Sequence, residues 1–371
     1  MDAEGLRRRL ERWLLQVWFG EASGLGRVAA IALAPLGVPL SWLVAAVARR
    51  RRRRIRRIEC GEGVPVIVVG NLVVGGAGKT PIALELARAL HARGFSPGLL
   101  AGGYRATRDA RRTARLVELD TPVETVGDEA LLLARESGLP VAAGSDRAAA
   151  MRCLLAAHPG VDVVVSDDGL QHRGLARCIE IVVIDARGHG NGRCIPAGPL
   201  REPVDRIGSV DLVLLNHGAE DPGATLGVVA RRTSRAASEI TGLRSLDGAR
   251  RWTPQAFAAA HRGEALAAVA GIARPERFFD ALRAAGLAPS QCLALGDHAR
   301  LDARTRASID ALDARWILLT GKDAVKFDGA DAALRARSLV VEHRAVLEDA
   351  LLTWLCGRLR PARTGAPAAV E

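Results

Sequence analysis

Lysine occurs three times among 371 residues, against 49 arginines. That imbalance reads as base-composition bias at surface sites where either cation serves. Lys79, Lys322 and Lys326 then become candidates for places that need a compact ammonium. Lys79 stands in the run Asn71-Leu72-Val73-Val74-Gly75-Gly76-Ala77-Gly78-Lys79-Thr80-Pro81. A glycine-rich turn ending in Lys-Thr suits a nucleotide triphosphate. Backbone N–H groups face the phosphates, the ammonium neutralises the β- and γ-oxygens, and the hydroxyl reaches magnesium. The strict spacing asks for glycine where Val73 stands, but Gly75, Gly76 and Gly78 keep the part that must approach phosphate closely. Nucleotide contacts are therefore expected from Val73, Val74, Gly75, Gly76, Ala77, Gly78, Lys79 and Thr80. A second group, Asp167-Asp168-Gly169, closes an apolar run and offers carboxylates where phosphate and metal need them. The bland alternatives are a ligand-free glycine turn and a plain acidic turn.

These groups need elements to hold them. The apolar, β-branched run 64–70 precedes the glycine turn, and a helical pattern (Ile82, Leu84, Leu86, Leu90) follows to about Arg93. Further runs of buried parallel-strand type lie at 161–165 and 179–184. Strand, glycine turn, Lys-Thr and helix make an α/β class protein with a P-loop NTPase fold and a mostly parallel sheet. Guanine recognition usually needs Asn/Thr-Lys-x-Asp. Thr320-Gly321-Lys322-Asp323 has its lysine one place late, so ATP is the expected nucleotide.

Composition narrows the class. Apolar residues are 49% and charged residues 25%, which excludes a disordered chain. The six cysteines form no C-x-x-C pair, so a disulfide scaffold or zinc ribbon is not expected. The net charge of +11 suggests nucleic acid, yet residues 1–60 alone hold 13 arginines against 5 acids. The rest is nearly balanced, and no nucleic-acid partner is expected. In that basic segment, Leu6, Leu10, Trp13, Leu14, Val17 and Trp18 recur at helical spacing. Residues 28–48 follow without a charge, and then a cluster at 49–57 contains eight arginines. An anionic membrane surface is the partner this pattern fits. As a helix, 21 residues reach about 31 Å, close to the hydrocarbon thickness of about 30 Å. An interfacial helix, a single span and a buried helix pair all remain open, since Pro35, Gly37 and Pro39 weaken a straight helix.

Several motifs together resemble the tetraacyldisaccharide 4′-kinase family, the lipid A kinases of Gram-negative bacteria. They are 70–81, Gly127-Asp128-Glu129, Asp167-Asp168-Gly169-Leu170-Gln171-His172, the proline-rich 190–203, Ala270-Gly271-Ile272-Ala273-Arg274-Pro275, Asp297-His298 and Thr320-Gly321-Lys322-Asp323. They run in the family's order over roughly residues 35–330. The resemblance implies transfer of the ATP γ-phosphate to the 4′-hydroxyl of a tetraacylated glucosamine disaccharide 1-phosphate, giving lipid IVA, at the cytoplasmic face of the inner membrane. It implies Asp128 as the base, oriented by His298, with Lys79 at the phosphates. It places Thr80, Glu129 and Asp167 near magnesium, and Asp168, Gln171, His172, Asn191 and Arg201 around the substrate. Departures are Ala101-Gly102 for Ser-Arg, Ala130 for the usual proline, Gly321 for glutamate, and Ala299-Arg300 after His298.

The expected organisation is an N-terminal membrane-associated helical segment over 1–60 and a P-loop kinase core over 61–205. A smaller α/β domain follows over 206–330, carrying His298, then a mostly helical return and tail over 331–371. The rival function is a membrane-associated P-loop ATPase with no lipid acceptor, which has no use for the 196–203 segment or an Asp128/His298 pair.

Overall fold

The computed structural model describes residues 3–60, 63–103, 113–220, 229–296, 301–327 and 330–359. Two compact units interleave along the chain. One holds Met1–Lys79, Asp162–Ala236 and Glu348–Glu371, and the other holds Thr80–Val161 and Ala237–Leu347. The segments expected from sequence run consecutively instead.

In chain order the strands are β1 (Val66–Gly70), β2 (Pro97–Ala101), β3 (Arg115–Leu116), β4 (Val141–Ala143), β5 (Val163–Asp167), β6 (Ile179–Ile184) and β7 (Leu212–Asn216). Then come β8 (Thr233–Ser245), β9 (Arg251–Trp252), β10 (Leu266–Ala270), β11 (Gln291–Ala294), β12 (Trp316–Thr320) and β13 (Ser338–Leu347). The first unit orders its sheet β5-β1-β6-β7-β8, with every neighbouring pair parallel. Its first four strands are buried throughout, as continuous Val/Ile/Leu runs require when both faces are covered. Central β1 puts Val69 opposite Asp167 and Gly70 opposite Val182, so the carboxyl ends of β5, β1 and β6 lie side by side.

A buried ionic cluster lies around the start of β6. Arg177, Arg206 and Glu180 are almost fully inaccessible, and Glu202 and Asp211 nearly so. Glu180 pairs with Arg206, Arg57 and Arg177, while Arg206 also meets Glu202 and Arg57 meets Asp211. Three guanidiniums thus face three carboxylates. Burial pulls the Arg177 guanidinium down to about 10 and pushes the Glu202 carboxyl up. Arg177 also donates to the carbonyls of Gly169 and Leu170, which ties the cluster to the loop after β5.

Helices α1 (Ala3–Trp18) and α2 (Gly24–Arg52) belong to the same unit. The helix α2 is unbroken over 29 residues despite Pro35 and Pro39. Each proline costs one i→i−4 bond, at the carbonyls of Ile31 and Pro35, and the helix continues past both. Leu25, Val28, Ile31, Leu36 and Trp42 are all exposed, contrary to a buried helix pair. The indole of Trp13 donates to Gly26 O and that of Trp18 to Pro196 O.

The second unit carries β2-β4-β3 and β11-β10-β12-β13-β8, with β9 paired to β8. Helix α3 (Lys79–His91) runs into it from the glycine turn, and helices Asp128–Ser137 and Arg147–Ala157 belong to it. Phe257, Phe278, Trp316, Leu318 and Leu339 lie in one core and Ile309, Ile317, Leu319, Phe327 and Leu334 in another. The segment after 331, expected to be mostly helical, contains strand β13 between helices Ala332–Ala336 and Asp349–Leu359. Pairing with β12 decides this, since Leu339, Val340 and Val341 are buried as a run.

Replacing Arg206 by methionine leaves Glu180 and Glu202 short of a buried cation. The expected loss is about 3–5 kcal/mol of unfolding free energy, read by denaturant unfolding in detergent micelles. A loss below about 1 kcal/mol would make the cluster marginal to stability.

Candidate active site

The glycine turn is built between two supports. Its entry, Leu72–Val74, pairs with the proline-rich segment. Val73 bridges Leu200, Val74 N donates to Pro199 O, and Arg201 N donates to Leu72 O. Val73 is buried by that pairing, which gives a reason for valine where the strict motif has glycine. At the turn itself Gly75 and Gly78 have φ of 91° and 80°, in the left-handed region that favours glycine. Asn216, buried at the end of β7, donates to Ala77 O, and a Cβ on Gly78 would stand 2.4 Å from its amide nitrogen.

Lys79 opens α3 with its side chain almost buried, 9% exposed. Its ammonium donates to Asn71 Oδ1 at 3.2 Å and lies 3.5 Å from Asp168 Oδ1. Arg201 donates to both Asp168 oxygens, at 3.2 Å each. One carboxylate thus stands between two cations, in a residue held at φ 46°. Gly169 fits tightly below it: a Cβ there would meet Ser166 Oγ at 2.6 Å. Gln171 donates to Asn71 O and to Glu202 Oε1, joining the turn to the buried ionic cluster. His172 follows, its amide on Gly169 O. The structure therefore gathers Lys79, Asp168, Arg201 and Gln171. Asn191 instead donates to Ala197 O and accepts from Arg193 N, which braces the 191–197 loop.

In the second unit Asp128 is buried at the start of its helix, after Gly127 at φ 85°, and accepts from Glu129 N. Glu129 Oε1 lies 3.5 Å from the Lys322 ammonium. Asp323 accepts from Gly271 N, from the Thr320 hydroxyl and from Lys326. Both remaining lysines thus hold carboxylates. His298 lies outside the described residues, as does Asp297.

Magnesium takes oxygen ligands, commonly one or two carboxylates with phosphates and water completing the shell. Asp167, 2% exposed at the end of β5, and the hydroxyl of Thr80 are donors of that kind. Among the described residues no three His, Cys, Asp or Glu side chains converge. A protein-only cage is therefore absent among those residues.

Three side chains at the turn escape the motif reading: Asn71, Asn216 and Arg187. Arg187 pairs with buried Asp185 at 3.0 Å, donates to Gly76 O and stacks over the Phe19 ring at 5.3 Å. An acid just beyond a buried parallel strand, as at Asp185, is the signal that points to it.

The family model for tetraacyldisaccharide-1-P 4′-kinase matches residues 33–360. The chain belongs to the tetraacyldisaccharide 4′-kinase family. A tetraacyldisaccharide 4′-kinase of Bordetella petrii is 45% identical over 339 residues, covering 89% of this chain and 93% of that one. One of Dechloromonas aromatica is 42% identical, with 95% and 98% covered. A crystal structure of LpxK from Aquifex aeolicus in complex with ATP superposes with a TM-score of 0.70 at 23% identity. It covers 90% of this chain and all of its own, and so shares the fold. Membership makes the chain a phosphotransferase of lipid A synthesis and sets aside the ATPase without a lipid acceptor.

Lys79→Ala in this kinase is expected to lower kcat by about 10²–10³-fold while the far-ultraviolet circular dichroism stays that of wild type. Activity within threefold of wild type would remove the glycine turn from catalysis.

Proposed function

We propose that the chain transfers the ATP γ-phosphate to the 4′-hydroxyl of a tetraacylated glucosamine disaccharide 1-phosphate, with magnesium, on the cytoplasmic face of the inner membrane. The observation that carries this reading is the nearly buried Lys79 ammonium, shared by Asn71 and Asp168 in a glycine turn. Phosphate oxygens are the natural replacement for Asp168 there. The turn's N–H groups and the start of α3 add positive potential in the same place.

Asp128 takes the proton from the attacking hydroxyl, and His298 orients it. Burial of Asp128 in the first turn of its helix limits its rotamers, as a positioned base requires. Asp167 and Thr80 hold magnesium, which withdraws charge from the triphosphate when bound. Glu129 acts beside Asp128 with Lys322 as its counter-ion. Arg201 fixes Asp168, and Gln171 fixes the turn through Asn71. Phosphoryl transfer of this kind rests on positioning and electrostatics rather than covalent chemistry.

Helix α2 supports the membrane part of the reading. It is long and apolar enough to cross a bilayer, largely exposed, and ends in Arg49–Arg52. Between α1, α2 and Pro196–Ala197 lies an apolar cavity of about 610 Å³, suited to an acyl chain of the acceptor. Deleting residues 1–55, which spares Arg57 of the buried ionic cluster, is expected to abolish sedimentation with phosphatidylglycerol vesicles while ATP binding persists. Sedimentation of the truncated protein would place the anchor elsewhere.

The catalytic reading is tested with radiolabelled ATP and the disaccharide acceptor in micelles. Wild type yields label on the lipid, and label released only as inorganic phosphate contradicts a kinase. Asp128→Ala and His298→Ala each lower kcat by about 10²–10⁴-fold, with KM for ATP little changed. Their double mutant is scarcely worse than the poorer single, because the two act as one unit. Multiplicative defects would separate the pair.

A further inference from the structure

Lys79, the glycine turn and the acids of β5 account for phosphate and metal, and leave the nucleoside end of ATP unassigned. The order of the strands says on which side that end lies. Strand β5 ends on Asp167, with Asp168 next, to one side of β1, and the glycine turn follows β1 itself. With the γ-phosphate drawn toward those acids, the nucleoside leaves over the carboxyl ends of the neighbours on the other side, β6 and β7.

Beyond β6 the chain is already committed to the turn. Asp185 is buried and held by Arg187, which donates to Gly76 O and puts Nη1 3.2 Å from where a Cβ on Gly75 would stand. Strand β7 ends on Asn216, whose amide is spent on Ala77 O at 3.1 Å. His217 comes next, exposed, with a φ of 52°. Residues other than glycine seldom take that left-handed conformation, histidine more readily than most, and such strain gathers at functional sites. Gly218 stays left-handed at φ 71°, and Ala219 N donates to Asn216 O at 3.2 Å, so the chain reverses at once. The reversal lays the imidazole against the turn, its Nε2 3.7 Å from the place of a Cβ on Gly78. A Cβ on Gly218 would meet nothing within 4 Å, and Gly218 is exposed like His217. The ring therefore stands beside the phosphate turn with room for a flat partner.

We propose that His217 contacts the purine base of ATP, its imidazole stacking on the face of the base while Asn216 holds the glycine turn beside it. This deepens the assignment of the glycine turn to ATP and rests on it. Phosphate is the poorer partner for this ring, because Lys79 and the N–H groups of the turn already serve it. A base offers what phosphate lacks, a broad π-face that an imidazole meets without needing a charge. His217 is then a residue that touches substrate, and Asn216 a positioning residue that acts through the turn.

The test compares a ligand that has a base with one that has none. ADP and inorganic tripolyphosphate, each with magnesium, are titrated by calorimetry into the full chain in micelles. His217→Asn removes the ring and keeps a residue that tolerates positive φ. ADP binding is expected to weaken about tenfold in that variant, with tripolyphosphate binding unchanged. Equal weakening of both ligands would make His217 a prop for the turn, and unchanged ADP binding would remove it from the site; either result overturns the proposal. A second readout uses the wild-type fold. With ¹³Cε1-histidine incorporated, the resonance missing from His217→Asn is expected to move upfield with ADP, under the ring current of the base, and to stay in place with tripolyphosphate. The same movement with both ligands also overturns the proposal. Failure of the underlying reading looks different: Lys79→Ala is expected to weaken both ligands, and unchanged binding of both in that variant overturns the glycine-turn assignment itself.

Discussion

The Lys79 ammonium is the charge on which the first unit's construction depends. Removed almost wholly from water, it needs a counter-charge and a hydrogen-bond acceptor within reach. Asp168 and Asn71 supply them at 3.5 and 3.2 Å. Each partner imposes further demands. Asp168 can serve only from a left-handed backbone position, with Gly169 packed beneath it and Arg201 sharing its carboxylate. Asn71 is the first residue after β1, and Gln171 holds its carbonyl.

That arrangement gives the buried ionic cluster a meaning beyond stability. Gln171 joins Asn71 to Glu202, Glu202 meets Arg206, and Arg206 meets Glu180, which also faces Arg57 and Arg177. Arg177 then returns to the carbonyls of Gly169 and Leu170. Both sides of the lysine site are thus braced from one charge-balanced core. Neighbouring Asp205 accepts from Arg49 and Arg52, so the basic end of α2 abuts the residue next to that core. Within the unit, the phosphate turn and the apolar helices share a continuous set of contacts.

Much of this is readable from local sequence. The strands around the glycine turn announce themselves as unbroken β-branched runs, because a parallel sheet covered on both faces has no polar alternation. The turn is readable because phosphate approach demands glycine and lysine at set places. What sequence does not carry is long-range pairing. Val73 is explained by Leu200, 127 positions away along the chain, and β13 by the partner strand β12. The same limit hides Arg187, Asn71 and Asn216, whose importance comes from which carbonyl or carboxylate they meet after folding. The interleaving of the two units has that origin too. Lys322 shows the opposite case: its scarcity marked it, and Glu129 supplies the reason.

The rarity of lysine makes the central claim directly measurable. With ¹³Cε-lysine incorporated, the protein has three labelled side chains, and Lys322→Arg and Lys326→Arg identify the Lys79 signal. The Lys79 resonance is expected to shift on Asp168→Asn, which removes its counter-charge, and to shift again in wild type when ATP and magnesium are added. A Lys79 signal unmoved by both changes would contradict an ammonium held by Asp168 and passed to nucleotide phosphate.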